Sequence, residues 1–170
     1  MTAMKKFDSQ FLRDKSYARQ IAFQALFQLD FNHESIDAED DPQARAIEMA
    51  INESENFNED FRDYIEQLVR GTVKFQKEID EQINKFSTGW NIRRMTSVDR
   101  NLIRLAIYEM KFAEKIIPHG AVINEVVELA KIFGSDESPK FVNGLLGAFS
   151  RDGQPREKKS KTKSEKQSQT

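Results

Sequence analysis

The chain has 170 residues, 38% hydrophobic and 32% charged, with no cysteine and a formal net charge of −2. That size supports one domain with a real core under a very polar surface. It excludes disulfides, thiol nucleophiles and cysteine zinc sites. No run approaches the roughly eighteen apolar residues of a membrane span, and residues 1–15 lack the apolar segment of a secretory signal, so a cytoplasmic protein is expected.

The small net charge conceals a segregation. Residues 1–29 carry +3, residues 30–66 carry −11, residues 67–150 carry +2 and residues 151–170 carry +4. An acidic middle flanked by basic ends can show different faces to different partners.

Taken in chain order, the pattern is helix after helix. Ile21, Ala22, Ala25, Leu26 and Leu29, with Phe23 and Phe27 beside them, place a first helix at about 8–31. The acidic run 37–41 reads as a loop. Asp41 before Pro42 then caps a second helix to about residue 55, with Ile47, Met49, Ala50 and Ile51 on it. Phe61, Tyr64, Ile65, Leu68, Val69, Thr72, Phe75, Ile79, Ile83 and Phe86 predict one long helix over 58–86. Gly71 inside it costs about 1 kcal/mol relative to Ala and suggests a close helix crossing. Ser87-Thr88-Gly89 ends that helix, and Trp90 and Ile92 are expected on a short turn over the core. Thr96 begins a cap with an acidic residue, Asp99, three positions on, opening a helix to about Phe112. That helix is apolar over most of its circumference, which marks it as central, with Arg100, Arg104 and Lys111 on the remaining stripe. Pro118-His119-Gly120 reads as a loop. A helix from about 121 to Gly134 follows, and Ser138-Pro139 opens a last one with Phe141, Val142, Leu145, Leu146 and Phe149. From Arg151 apolar residues vanish, so residues 151–170 are expected to be a disordered basic tail on a 1–150 domain. The fold class expected is all-α, with no strand periodicity.

Searches for catalytic chemistry find little. The two histidines, His33 and His119, read as solvated surface residues. Glu125 and Glu128 share a helix face, but no Glu-x-x-His partner follows, so with Lys131 they read as a solvated stripe rather than a metal site. No phosphate loop, dinucleotide fingerprint or nucleophile elbow occurs. Gly144 and Gly147 suggest close packing of the last helix. No enzyme, metal or cofactor is expected. Three features favour binding instead. Arg13, Lys15 and Arg19 lie on or before the first helix around Tyr17, a pattern that suits a phosphate backbone with stacked bases, though a solvated basic face is the commoner case. The 134–143 segment joins polar groups to Phe141 at a helix start, where exposed N–H groups attract phosphate. The basic tail suits nonspecific binding of polyanions.

Two blocks carry a resemblance. Ser97-Val98-Asp99-Arg100, running on to Tyr108-Glu109, is followed by Ile123-Asn124-Glu125 to Gly134 and by Ser138-Pro139-Lys140-Phe141-Val142-Asn143-Gly144. Together they resemble the C-terminal half of the NusB transcription antitermination family. Ala18-Arg19 to Phe27 resembles its first helix. The resemblance spans about 15–150 and implies about seven helices in two packed helical subdomains. It implies binding of boxA-type single-stranded RNA jointly with the small-subunit ribosomal protein NusE, within the RNA polymerase antitermination complex that supports ribosomal RNA transcription. Residue by residue, it implies RNA contacts at Lys15 and Arg19, with Arg13 nearby, and at Glu137, Lys140 and Phe141. It implies partner contacts at Phe27 and Asp99. Ser16 and Tyr17 stand where the family often has arginine. Two other readings stay open at this point: a helical protein-interaction module without RNA binding, and a relative of the N-terminal domain of ribosomal RNA cytosine methyltransferases lacking the catalytic domain.

Overall fold

The computed structural model describes residues 2–31, 39–87, 89, 91–115 and 117–152, with side chains described from Ser9 onward. His33, Thr88, Trp90, part of the expected 37–41 loop and the tail beyond Asp152 lie outside the described residues. Among the described residues there are seven α-helices and no strand: α1 (Thr2–Phe31), α2 (Pro42–Glu53), α3 (Arg62–Lys74), α4 (Gln76–Phe86), α5 (Ser97–Ile107), α6 (His119–Phe133) and α7 (Ser138–Asp152).

The caps read from the sequence are in place. The Asp41 carboxylate accepts from the Ala44 amide at 3.1 Å, and the Thr96 hydroxyl accepts from the Asp99 amide at 3.1 Å. Four boundaries differ from expectation. The first helix begins at Thr2, not near 8, and α6 begins at His119, so that histidine is not in a loop. It is half-buried, within 2.9 Å of the Ser150 hydroxyl and stacked on Phe149. The last helix continues to Asp152, whose carboxylate meets Lys85 at 3.1 Å, so the expected tail boundary at 151 falls inside a helix. The long helix expected over 58–86 is two helices joined at Phe75 (φ −98°, ψ 13°), preceded by a short 3-10 turn at Glu59–Phe61. The apolar period runs through the joint, so periodicity alone could not reveal it. The Phe75 ring holds the bend by stacking on Phe112 at 5.0 Å and on Tyr108 at 6.4 Å.

That joint divides the molecule. Helix α1 packs on α2 and α3, while α4, α5, α6 and α7 pack on one another, giving two helical subdomains. Contacts of α1 and α3 with α5 fuse them into one continuous core. Helix α5 is the centre, with every residue from Asn101 to Met110 buried along it and its following turn. The last turn widens after Ile107 into a π-type turn over Tyr108–Phe112, where the Ala113 amide reaches back to the Tyr108 carbonyl at 2.9 Å. Gly71 marks the close crossing expected of it: a Cβ there would fall inside the Tyr108 ring. Gly144 does not do the same, since a Cβ there would meet nothing within 4 Å, and at Gly147 it would meet only Arg151 of the same helix. Close packing is therefore not what those two positions serve. Arg104, on the stripe that the apolar residues of α5 leave, is not at the surface. It is buried, and it grips Asp80 through two bonds of 2.8 and 2.9 Å.

Candidate nucleic-acid and partner interface

Arg19 departs furthest from the sequence reading. As part of a basic cluster on α1 it is expected to face phosphate, yet its side chain is buried, with 3% of the residue exposed. It donates to both oxygens of Glu109, which is 1% exposed, at 2.6 and 2.9 Å. The Tyr64 hydroxyl donates to the same carboxylate at 2.9 Å, and Glu125 lies 3.2 Å from the guanidinium. Burial opposes the charge, but the hydrogen bonds and charge of Glu109 hold the guanidinium above the ordinary arginine range. Burial and the neighbouring Glu109 charge push the Tyr64 phenol up. Arg19 is thus a strut tying α1 to α3, to the π-type turn and to α6. Glu125, expected on a solvated stripe, belongs to this cluster and accepts from Ser16 at 2.6 Å. Glu128 does pair with Lys131, at 2.6 Å.

Of the cations expected at RNA, Arg13 on α1 and Lys140 on α7 are exposed and Lys15 on α1 is half-buried. Arg13 is exposed and donates to Gln10 at 2.8 Å. Lys15 is half-buried, with its ammonium 5.4 Å from the centre of the Tyr64 ring. Its pKa is lowered, first by burial and then by repulsion from Arg19, with Lys115 adding to the same effect. Four residues separate Lys15 from Arg19, so helical spacing gives them one face; the structure turns that face inward at Arg19 and leaves it at the rim at Lys15.

Glu137 and Lys140 are exposed at the start of α7, and Phe141 is half-buried against the core. With Phe86, Gly144 and Leu145 they line a groove of about 680 Å³ between α4 and α7. Lys15, in contrast, lines a different cleft among α1, α3 and the segment after the π-type turn. The two patches expected to bind RNA therefore lie on different subdomains.

The partner residues expected from the resemblance are both near the α1–α5 junction. Phe27 is half-buried, its ring 6.1 Å from Phe23 and 4.9 Å from Phe31, and Phe31 is 64% exposed. Asp99 is buried in the first turn of α5, and its Oδ1 has no hydrogen-bond partner among the described residues. Close by, Asp30 of α1 accepts from Ser97 at 2.7 Å, from Arg100 and from Asn101 at 3.2 Å. Burial opposes ionisation of Asp30, but these bonds and Arg100 lower its pKa. Sequence reasoning missed this cluster; the only signal was an acidic residue at the end of α1 and two arginines one turn apart on α5.

No group of three or more His, Asp or Glu side chains able to hold a metal occurs among the described residues. No helix of the described residues is long and apolar enough to cross a membrane.

The model of the NusB family matches residues 16–151. The transcription antitermination protein NusB of Desulfitobacterium hafniense is 44% identical over 129 residues, covering 76% of this chain and 82% of that protein. The protein of the same name from Bacillus cereus is 43% identical over 129 residues, covering 76% of this chain and 91% of its own length. Among solved structures, T. maritima NusB superposes with a TM-score of 0.70 at 31% identity, covering 82% of this chain and 92% of that one. A crystal structure of the antitermination factors NusB and NusE with double-stranded RNA matches with a TM-score of 0.70 at 30% identity, over 82% of this chain and 98% of that one.

Proposed function

The chain belongs to the NusB family, and from that membership we infer that it is a transcription antitermination factor that binds boxA-type RNA together with the ribosomal protein NusE. The observation that carries this reading is the likeness of fold, over 82% of the chain, to the NusB of a NusB–NusE–RNA complex. The protein acts stoichiometrically in the cytoplasm, as part of the complex on elongating RNA polymerase that supports ribosomal RNA transcription, and not by catalytic turnover.

In this reading Arg13, Lys15 and Lys140 neutralise phosphates, Phe141 supplies a stacking face and Glu137 an acceptor beside it. Arg19 supports them from below instead of touching RNA. Exposed cations on two subdomains suit a single strand whose backbone crosses both while its bases stay free for readout. Phe27 and Asp99 face NusE. A half-buried ring beside the exposed Phe31, and a buried carboxylate oxygen with no donor among the described residues, suit the apolar anchor and the acceptor of a protein interface. The basic remainder beyond Asp152 adds sequence-independent affinity for RNA.

The test is a mobility shift of a boxA RNA with and without NusE. Wild type is expected to shift the RNA most strongly with NusE present. Lys15→Glu and Lys140→Glu should each weaken the complex and reduce its salt slope by about 0.7 for each phosphate that is no longer neutralised. Absence of any RNA complex with NusE present overturns the assignment.

A further inference from the structure

The cleft beside Lys15 has features that RNA binding along exposed cations does not use. It has a volume of about 510 Å³ and is walled by Phe11, Phe61, Leu68, Tyr108, Ala113 and Ile117. Its aromatic wall is built: Phe11 lies 5.4 Å from Phe61, and Phe61 lies 6.4 Å from Tyr64. Phe11 remains 48% exposed. A large aromatic side chain so exposed at the edge of a concave apolar wall is unusual for a free surface. Two cations, Lys15 and Lys115, line the same cleft, and they stand close enough that the charge of Lys115 is felt at Lys15. At the inner wall Tyr64 and Glu109 are held by Arg19, so that carboxylate is already neutralised. Asp14, Asp60, Asn58 and Gln67 add acceptors and amides around the wall. Asp14 already accepts from Gln10 at 2.7 Å and from Asn58 at 2.9 Å.

We propose that this cleft is a nucleotide-unit site: a base lies against Phe11, Phe61 and Tyr108, and its phosphate sits at Lys15 and Lys115. Each part of the lining has a role in that chemistry. Aromatic walls stack any base face, a lysine pair whose like charges repel is relieved by an anion between them, and the Asp60 carboxylate matches the amino and imino edge of guanine better than that of uracil. A purely apolar occupant would leave the two ammonium groups and the Asp60 carboxylate facing hydrocarbon, which disfavours it. The unit can be a free nucleotide or one residue of a bound strand. Only the second source rests on the RNA-binding reading above.

The two sources are separated with the full chain. In one arm, guanosine monophosphate is titrated alone and aromatic proton resonances are followed by NMR, with uridine monophosphate for comparison. In the other, a boxA RNA is titrated in the presence of NusE. The variants are Ala113→Trp, which fills the cleft from the segment after the π-type turn, and Lys115→Glu, an exposed position whose change leaves the core intact. Circular dichroism establishes that each is folded. Guanosine monophosphate is expected to move the Phe61 and Tyr108 resonances of wild type, more than the uridine nucleotide does, and to move neither in Ala113→Trp. If the strand uses the site, both variants lose about tenfold or more in RNA affinity, the loss expected for one stacked base. A response to the free nucleotide with unchanged RNA affinity supports the site and assigns it to free nucleotides. If the nucleotide leaves both rings unmoved and the folded variants bind RNA like wild type, the proposal is wrong, whether or not wild type binds RNA. Should wild type fail to bind RNA at all, the family-based function falls and the nucleotide arm alone decides the cleft.

Discussion

Replacing Arg19 by methionine separates a strut from an RNA ligand. The guanidinium and the Glu109 carboxylate are 3% and 1% exposed at the residue level, and two bonds of 2.6 and 2.9 Å join them. Arg19→Met strands Glu109 in the interior with Tyr64 as its remaining donor. Removing one partner of a buried pair costs about 3–5 kcal/mol. For a chain of this size each kcal/mol lowers the melting temperature by about 2–4 °C, so a fall of about 6–20 °C is expected. The double variant Arg19→Met, Glu109→Leu removes both charges and should recover most of that loss, because a well-packed apolar pair replaces a buried ion pair at little cost. Urea denaturation followed by circular dichroism reads both. The RNA measurement then uses the stable double variant: a strut leaves the salt slope of RNA binding unchanged, whereas a phosphate ligand lowers it by about 0.7. A single variant destabilised by less than about 1 kcal/mol, or a double variant no better than the single, would refute the reasoning.

Gly71→Ala should destabilise by about 1–3 kcal/mol, because its Cβ meets the Tyr108 ring. Gly144→Ala, in open space on a helix, should stabilise by about 0.5–1 kcal/mol; paired thermal melts check both. Lys15→Met should raise stability slightly at neutral pH while weakening RNA binding. The folded pKa of Lys15 is depressed, so its charged form costs stability below that pKa, and the cost fades as pH rises toward the unfolded value near 10.5; the melting advantage of the variant should therefore shrink in alkaline buffer. Phe27→Asp should abolish pairing with NusE in a pull-down while the helical spectrum persists, since the ring is only half-buried. An unfolded variant would assign Phe27 to the core instead.

The helices were legible because their signals are local. Asp41-Pro42 and Thr96 with Asp99 cap as their chemistry dictates, and the apolar residues over most of the circumference of α5 announce a central helix. Tertiary contacts decide what was not legible. Phe75 keeps the apolar period of one helix while its own backbone ends α3, and only the rings of Tyr108 and Phe112 stacked on it show why. Arg19 reads as an RNA-facing cation and Arg104 as part of a polar stripe because a lone sequence shows a charge without its partner. Those partners, Glu109 and Asp80, lie 90 and 24 residues away. Gly71 and Gly144 look alike in sequence, yet one faces a tyrosine ring and the other open space. At the candidate interfaces the sequence did not show depth: Lys15, Lys140 and Phe141 reach the surface, while Arg19 does not.

The joint at Phe75 bears on the RNA-binding mode proposed above. One residue separates α3 from α4, so any swivel of one half against the other must turn about that residue and peel its ring from Phe112 and Tyr108. The chain has no slack there to absorb such a turn. In the proposed RNA complex, the stacking of Phe75 on Phe112 and Tyr108 would set the spacing between Lys15 on one half and Lys140 on the other. A strand held at both would be gauged by the length of backbone between its two points of attachment. Because the spacing is set before the strand arrives, little ordering is left to oppose binding when it does.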